Sequence, residues 1–437
     1  MSASSDYILV AALDFGTTYS GYAYSLRHEF KVDPLKIQSN QVWGSGGRAL
    51  LSLKTLTCLL LDDEKKFVAF GFEAENKYAE IVLDKKQDDY FYFHRFKMNL
   101  HNNKNVTSNM ILEDIRGKPV LAIDVFSLSI KAMVDHLMET LRRRVSSIKI
   151  KDIRWVLTVP AIWTDAAKLF MRKSAEKAGI PEDKLFLALE AEAASIFCQH
   201  LPTDKLHEIE RGFTILEPGT KYMVVDLGGG TVDITVHEKT ADGYLRELRR
   251  GTGGDCGGAS VDGEFFQMLV KIFGGPLMKS LIDDDLSAYL DLIREFEAVK
   301  RHVEPLNSNK VNVTIPYVSI DLKCQQILGE RLDSVIQSSS INTQVSLLKD
   351  KMRIDASVMV NFFQPAIANI ISLMREVLSD RATEEVNTIS LVGGFAECRL
   401  VQDSIKRAFE DKRLIIPIEA GLAVLRGAVI FGHNPDY

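Results

Sequence analysis

The 437-residue sequence predicts an α/β protein of two related lobes, each with a mixed-sheet core and a smaller inserted subdomain. Three observations carry this. A pattern near the N-terminus, "LVAALDFGTTYSGYAYS" (Leu9–Ser25), returns as "MVVDLGGGTVDITVHE" (Met223–Glu238), about half the chain later. Such an echo at long range marks two related units. After each copy, apolar strand-like runs alternate with amphipathic helical runs, the rhythm of layered α/β folds. Two stretches, about 42–119 and about 259–353, break that rhythm and read as insertions. The expected division is 1–205 for the first lobe, 206–220 for a linker and 221–437 for the second lobe.

The apolar run Ile8–Leu13 has the length of a buried strand. It ends on Asp14 and Phe15, then Gly16-Thr17-Thr18, and alternation resumes through Tyr22 and Tyr24 as a second strand. "IRWVLTVP" (Ile153–Pro160) is a strand stopped by proline. In "TDAAKLFMRKSAEKAG" (Thr164–Gly179), Thr164 caps a helix, Ala167, Phe170, Met171, Ala175 and Ala178 line one face, and Gly179 ends it. The charge-rich, proline-containing stretch Leu201–Lys221 reads as the connection between lobes. The second half repeats the hairpin and predicts a helix over 287–303. It then shows strand alternation in "KVNVTIPYVSI" (Lys310–Ile320), a strand in "NTISLVGG" (Asn387–Gly394) and a helix over 396–409.

Composition removes several classes of function. A net charge of −6, with no basic cluster beyond "LRRR" (Leu141–Arg144), argues against a nucleic-acid surface. Five dispersed cysteines without a CxxC pair fit neither a disulfide frame nor a zinc site, and point to a reducing compartment. The N-terminus lacks a basic leader region, and no apolar run approaches the ~20 residues needed to span a bilayer. A cytoplasmic protein with no membrane partner is expected. There is no GxxxxGK[ST], no strand-linked GxGxxG and no GxSxG elbow.

The repeated hairpins carry the candidate chemistry. Glycine turns let successive backbone N–H groups approach an anion and form a nest for it. Gly16-Thr17-Thr18 and Gly228-Gly229-Gly230-Thr231 predict two nests gripping one polyphosphate from both sides. Asp14 and Asp226, at the strand ends, are placed to hold the water shell of a phosphate-bound Mg²⁺; taken singly, each also reads as a solvated turn residue. Glu190 shares a helical stripe with Ala194, Phe197, Cys198 and Leu201, as either a site carboxylate or a first-turn acid favoured by the helix dipole. Glu192 serves as its surface counterpart. Glu297, Lys300 and Arg301 read as a helix ion pair or as the wall of a nucleoside pocket. Lys97, among aromatics, is either a snorkelling lysine or an ammonium for a transferring phosphoryl group.

Taken in order, "LDFGTTYSGYAYS", "RWVLTVPAIW", "LEAEAASIFC", "VVDLGGGTVDITV", "FEAVKR" and "LVGGFAE" resemble the seventy-kilodalton heat-shock chaperone (Hsp70) family, in detail its divergent heat shock 70 kDa protein 12 branch. The resemblance runs from about Ile8 to His433. It implies the actin-like ATPase (ribonuclease H-like) fold with ATP or ADP and Mg²⁺ in the cleft. Position by position, Asp14 and Asp226 resemble the Mg²⁺-associated aspartates, and Gly16–Tyr19 and Gly228–Thr231 the phosphate loops. Lys97, Glu190, Asp226 and Asp233 resemble the catalytic set, and Glu297, Lys300 and Arg301 the adenosine set. Gly393, Gly394 and Phe395 fall on the adenine side, and Gly257 and Gly258 count with the nucleotide-binding glycines. Ala191 stands where the family usually has proline, Phe395 where it has a small polar residue, and Lys168 where an arginine works with the proline matched by Pro160. The family's apolar linker and β-rich peptide-binding domain are not expected within these 437 residues. The function implied is a slow ATPase module of a chaperone-like, stress-response protein that switches lobe closure for protein partners or co-chaperones. The alternatives are a nucleotide-dependent binding module with little turnover and a small-molecule kinase.

Overall fold

The computed structural model describes residues 7–39, 53–101, 103, 105–144, 147–201, 206–207, 217–305 and 309–435. Strands β1 (Leu9–Phe15) and β2 (Tyr19–Leu26) form an antiparallel hairpin with Asp14 opposite Gly21. Every residue of β1 is buried, which is why its sequence is apolar up to Asp14 and shows no alternation. Helices α1 (Phe72–Leu83) and α2 (Ala122–Arg142) follow, then β3 (Ile153–Val159), parallel to β1. Thr164 caps α3 (Asp165–Lys177) by accepting from the Ala167 N–H at 3.2 Å. Strand β4 (Leu185–Leu189), parallel to β3, leads directly into α4 (Glu190–His200).

The second half contains β5 (Lys221–Leu227), β6 (Val232–Lys239), β7 (Leu245–Gly254), α5 (Ala259–Phe273), α6 (Leu286–Lys300), α7 (Ala356–Leu378), β8 (Thr388–Val392), α8 (Arg399–Ala408), β9 (Arg413–Pro417) and α9 (Ala423–His433). Its sheet runs β9-β8-β5-β6-β7, with β9, β8 and β5 parallel and the rest antiparallel. The first sheet runs β4-β3-β1-β2, followed by the short strand Gln38–Ser39, with the same senses. Helices fall in matching places: α2 and α7 before β3 and β8, α3 and α8 after them, and α4 and α9 after β4 and β9. The echo in the sequence is thus a duplicated topology. Between the duplicated parts lie two small three-stranded sheets, Cys58–Leu61 with Phe67–Phe70 and Phe91–His94, and Val311–Thr314 with Val345–Leu348 and Lys351–Ile354.

Each sheet carries its own apolar core, and two further clusters form where α4 and α9 pack between the sheets. The crossing is tight. A Cβ added at Gly427 would stand 1.6 Å from the Ala193 carbonyl oxygen, and one at Gly432 would stand 2.4 Å from Val10. Helix α9 therefore lies on the first sheet although it follows the second in sequence.

Three expectations change. The alternation over Lys310–Ile320 is a strand only at Val311–Thr314. Pro316, which cannot donate to a ladder, opens a helix at Tyr317–Lys323 instead. Glu192 is half-buried, not on the surface, because α4 is enclosed on nearly every side. Burial, with Glu247 nearby, raises its carboxyl. Helix α7, at 23 residues, is long and apolar enough to cross a membrane by length and composition. Its face of Met359, Phe363, Ala366, Ile370 and Met374 packs into the second core. The linker 206–220 lies mostly outside the described residues, as do positions 42–52 of the first insertion; backbone at Leu206–His207 pairs with β9. All five cysteines are free and buried.

Candidate functional site

The two glycine turns meet. A Cβ on Gly229 would stand 2.4 Å from Thr18 Oγ1, and one on Gly230 2.7 Å from Thr17 Cγ2. Each turn directs its carbonyls away from the other. Gly16 O accepts from Thr57 Oγ1 at 2.7 Å and Thr18 O from the Thr57 N–H at 2.8 Å. In the second turn, Gly228, Gly229 and Gly230 O accept from the amides of Gly258, Ala259 and Gly257 at 3.1, 2.7 and 3.2 Å. In a trans peptide the N–H lies on the edge opposite the C=O. The N–H groups of Thr17, Tyr19, Gly229, Gly230 and Thr231 are therefore turned away from these supports. The same packing explains Gly257, whose Cβ would collide with the second turn at 2.7 Å. Thr18 Oγ1 is buried with no hydrogen-bond partner among the described residues. A cradle of outward amides beside an unpartnered hydroxyl fits the phosphates of a nucleotide.

Four carboxylates and two lysines surround the turns. Lys97 is buried and bonds Glu190 Oε1 at 2.8 Å, with its ammonium 5.1 Å from the centre of the Trp163 ring. It does not snorkel to solvent. Glu190 opens α4; burial, with Asp14 adding, raises its carboxyl against the pull of Lys97. Burial likewise works to raise Asp14, but Lys54 and Lys97 outweigh it and hold its carboxyl low. Asp14 Oδ2 accepts from Lys54 at 2.6 Å and Oδ1 from Thr158 Oγ1 at 2.9 Å. Asp226 has no lysine at ion-pair distance among the described residues. Burial, then Glu190, Asp233 and Asp14, push it well above the usual carboxylate range. Asp233, opposite Asp226 in the hairpin, accepts from the Ala161 N–H at 2.8 Å through Oδ2, while its Oδ1 is buried and unpartnered among the described residues. Burial and Glu190 push it up to about 7.

The two aspartates expected beside a magnesium ion thus differ: Asp226 has no lysine at ion-pair distance among the described residues, whereas both oxygens of Asp14 are engaged, by Lys54 and Thr158.

On the other side of the turns, Arg301 donates to Glu297 Oε1 through Nε at 3.1 Å and Nη2 at 3.0 Å, the helix pair read from spacing. Lys300 is buried. It pairs with Glu297, donates to Asp262 Oδ1 at 2.6 Å and reaches Gly258 O at 3.3 Å, tying α6 to the start of α5. The Arg301 guanidinium lies 5.9 Å from the Tyr19 ring centre, which brings the adenosine-side group to the first hairpin. Gly393, at φ +88°, admits no side chain, because a Cβ would stand 2.4 Å from Asp226 Oδ1; Gly394 faces open space. Phe395 departs from expectation. Its ring is buried against Gly258 and stacked on Phe363 at 6.2 Å, within the core. Lys168 donates to Ala161 O at 3.2 Å, so one residue, Ala161, links it to Asp233.

Away from the turns, α6 and α1 also meet. Arg294 of α6 donates to Glu75 at 3.0 Å and Asn76 at 2.8 Å on α1. Beneath, Tyr78, Val82 and Tyr92 pack with Leu286.

The sequence reading missed Lys54. It also missed Thr158, Thr57 and Trp163, none of which sits in a spacing pattern with the hairpins. Only the fold brings them in: Thr158 lies on β3 beside β1, Trp163 in the loop leaving β3, and Thr57 just after the short strand Thr55–Leu56 that pairs with β2.

Comparison with known proteins agrees with this architecture. The family described as Hsp70 protein matches residues 94–434. Heat shock 70 kDa protein 12A of Mus musculus and that of Homo sapiens are each 34% identical over 483 residues, covering 100% of this chain and 71% of the relative. Heat shock 70 kDa protein 12B of Homo sapiens is 33% identical over 479 residues, covering 98% and 69%. With its duplicated sheets, its paired glycine turns and these relatives, the chain belongs to the Hsp70 family, as a nucleotide-binding module of the actin-like ATPase fold.

Proposed function

We propose that the chain binds ATP and ADP between its two halves, hydrolyses ATP slowly, and closes around the nucleotide as it does so. The single observation that carries this is the contact of the two glycine turns, Thr17 and Thr18 against Gly229 and Gly230. Neither turn makes the cradle alone, so phosphate binding favours the arrangement that brings both together.

Within this reading the turns orient the phosphates, and Glu297, Lys300, Arg301 and Tyr19 line the nucleoside side. Asp233, with one oxygen fixed by Ala161 and the other unpartnered, takes the proton of an attacking water. Lys97, kept in place by Glu190 and Trp163, lends positive charge to the transferring group. A Mg²⁺ ion accompanying the phosphates would neutralise their charge and would be held beside Asp226. Protein partners would read the closed and open shapes, in a chaperone-like, cytoplasmic role in stress. A second reading, shape change with little turnover, is favoured by one observation: Lys97 is already in an ion pair with Glu190 and must share its charge to act.

Calorimetric titration with ATP and ADP tests the binding claim on the wild type and Gly229→Ala. The added methyl would overlap Thr18, so the variant should lose affinity by roughly tenfold or more while keeping the fold, checked by its melting temperature. A wild type that binds neither nucleotide sinks the proposal. ADP release in the absence of any sugar supports hydrolysis, whereas strict dependence on a sugar would make the chain a kinase. Binding without any ADP release selects the second reading.

A further inference from the structure

The two hairpins share one pairing register and differ at a telling position. In the second, Asp226 faces Asp233; in the first, Asp14 faces Gly21. The space left by that glycine is filled. A Cβ at Gly21 would stand 2.8 Å from Cγ of Lys54 and 3.3 Å from the Leu53 carbonyl oxygen. The lysine stem runs across the bare Cα, and its ammonium ends 2.6 Å from Asp14. The lysine side chain is only 17% exposed. Its backbone is anchored, because the next two residues pair with β2, Thr55 with Ser20 and Leu56 with Tyr19. Thr55 Oγ1 in turn accepts from the Phe72 N–H at 3.0 Å. The charge is thus delivered from a sheet edge to a fixed point at the phosphate end of the cleft. Asp226 and Glu190 also act on it.

A divalent ion beside phosphates keeps most of its waters and is held by few protein groups. Removing one of two carboxylates from that hold leaves little. A buried lysine, by contrast, is itself a point-charge binder of phosphate. We propose that Lys54, seated over Gly21 and paired with Asp14, is a built-in cation of this site, so that a nucleoside di- or triphosphate is bound without a divalent metal nearly as well as with one. The proposal rests on the nucleotide reading above, but it makes a separate claim about Asp14 that can be measured without nucleotide.

Two experiments on the full chain decide it. In the first, Mn²⁺ is titrated into the nucleotide-free protein and followed by electron paramagnetic resonance. Wild type should bind weakly and Lys54→Met, with Asp14 released, at least roughly tenfold more tightly, about 1.4 kcal/mol. In the second, ADP is titrated in EDTA and in Mg²⁺. Wild type should differ by no more than about threefold between the two. Lys54→Met should lose roughly tenfold or more in EDTA and recover in Mg²⁺. Gly21→Ala, which displaces the lysine without removing it, should follow Lys54→Met, and Lys54→Arg should follow wild type. Equal Mn²⁺ titrations of wild type and Lys54→Met, or loss of wild-type ADP binding in EDTA alone, overturn the proposal. If the wild type binds no nucleotide under either condition, the nucleotide reading fails, and the Mn²⁺ comparison still decides the role of Lys54.

Discussion

Replacing Asp233 by asparagine removes a titrating proton from the site while preserving its shape. The amide oxygen can accept from the Ala161 N–H as Oδ2 does now, at 2.8 Å. Burial and the charge of Glu190 hold the native carboxyl at about 7, against 3.8 for an ordinary aspartate. The folded state therefore binds more protons than the unfolded one between those two values, and stability falls as pH rises. The contribution is fully present below the unfolded value and is lost as pH climbs through about 7. From about pH 5 to about pH 8.5 the unfolded aspartate is ionised throughout, while the folded one passes from protonated to ionised. That is about two pKa units of differential binding, or about 2.7 kcal/mol. Urea denaturation of wild type and Asp233→Asn at both pH values measures it. The stability gap should move in favour of the variant by about 2–3 kcal/mol between the acid and the alkaline condition. A gap equal at the two would refute the electrostatic account of Asp233. Under the proposed hydrolysis, the same ionisation should make ATP turnover by the wild type rise with pH through about 7, since the base acts only when deprotonated.

Lys97→Ala should leave nucleotide affinity nearly unchanged and lower kcat roughly a hundredfold, about 2.7 kcal/mol, because the lost charge acts on the transition state; single-turnover hydrolysis beside calorimetry separates the two, and an unchanged kcat would remove the lysine from the chemistry. Gly427→Ala should destabilise the fold by about 1–3 kcal/mol or more, since its methyl meets the Ala193 carbonyl oxygen at 1.6 Å and must part α4 from α9. Equal melting temperatures for Gly427→Ala and wild type would show that the crossing is looser than described.

Much of the fold was legible because it is written twice. The two hairpins announce themselves by the same order of apolar run, aspartate, glycine turn and hydroxyl, and hydrogen-bond register and turn chemistry leave that order few alternatives. Helix α3 was legible from its cap and its single apolar face. The stripe of helix α4 was legible too, but not the half-burial of Glu192, because a helix enclosed between two sheets is apolar or small on nearly all sides and its period does not mark an exposed face. Lys54 was illegible for another reason. It reaches Asp14 across 40 positions of sequence through an edge strand of two residues, too short to show any period. Thr158, hidden inside a fully buried strand, reads as one more β-former until the register places it beside β1. The ring of Phe395 went into the core because a large apolar side chain next to a glycine turn gains more from burial than from lining a polar cleft.

Helix α9 sets a timetable for making the protein. The face of the first sheet that holds Val10, Ala12 and Val156 is covered by Leu425, Ala428 and Val429. On a ribosome, β1 emerges long before α9, which ends at His433. Until α9 follows, that sheet face lacks its cover, and an uncovered apolar sheet is an aggregation hazard at cellular concentrations. The nascent chain of this chaperone relative is thus itself a candidate for chaperone protection, and its N-terminal half expressed alone would present the same exposed face permanently.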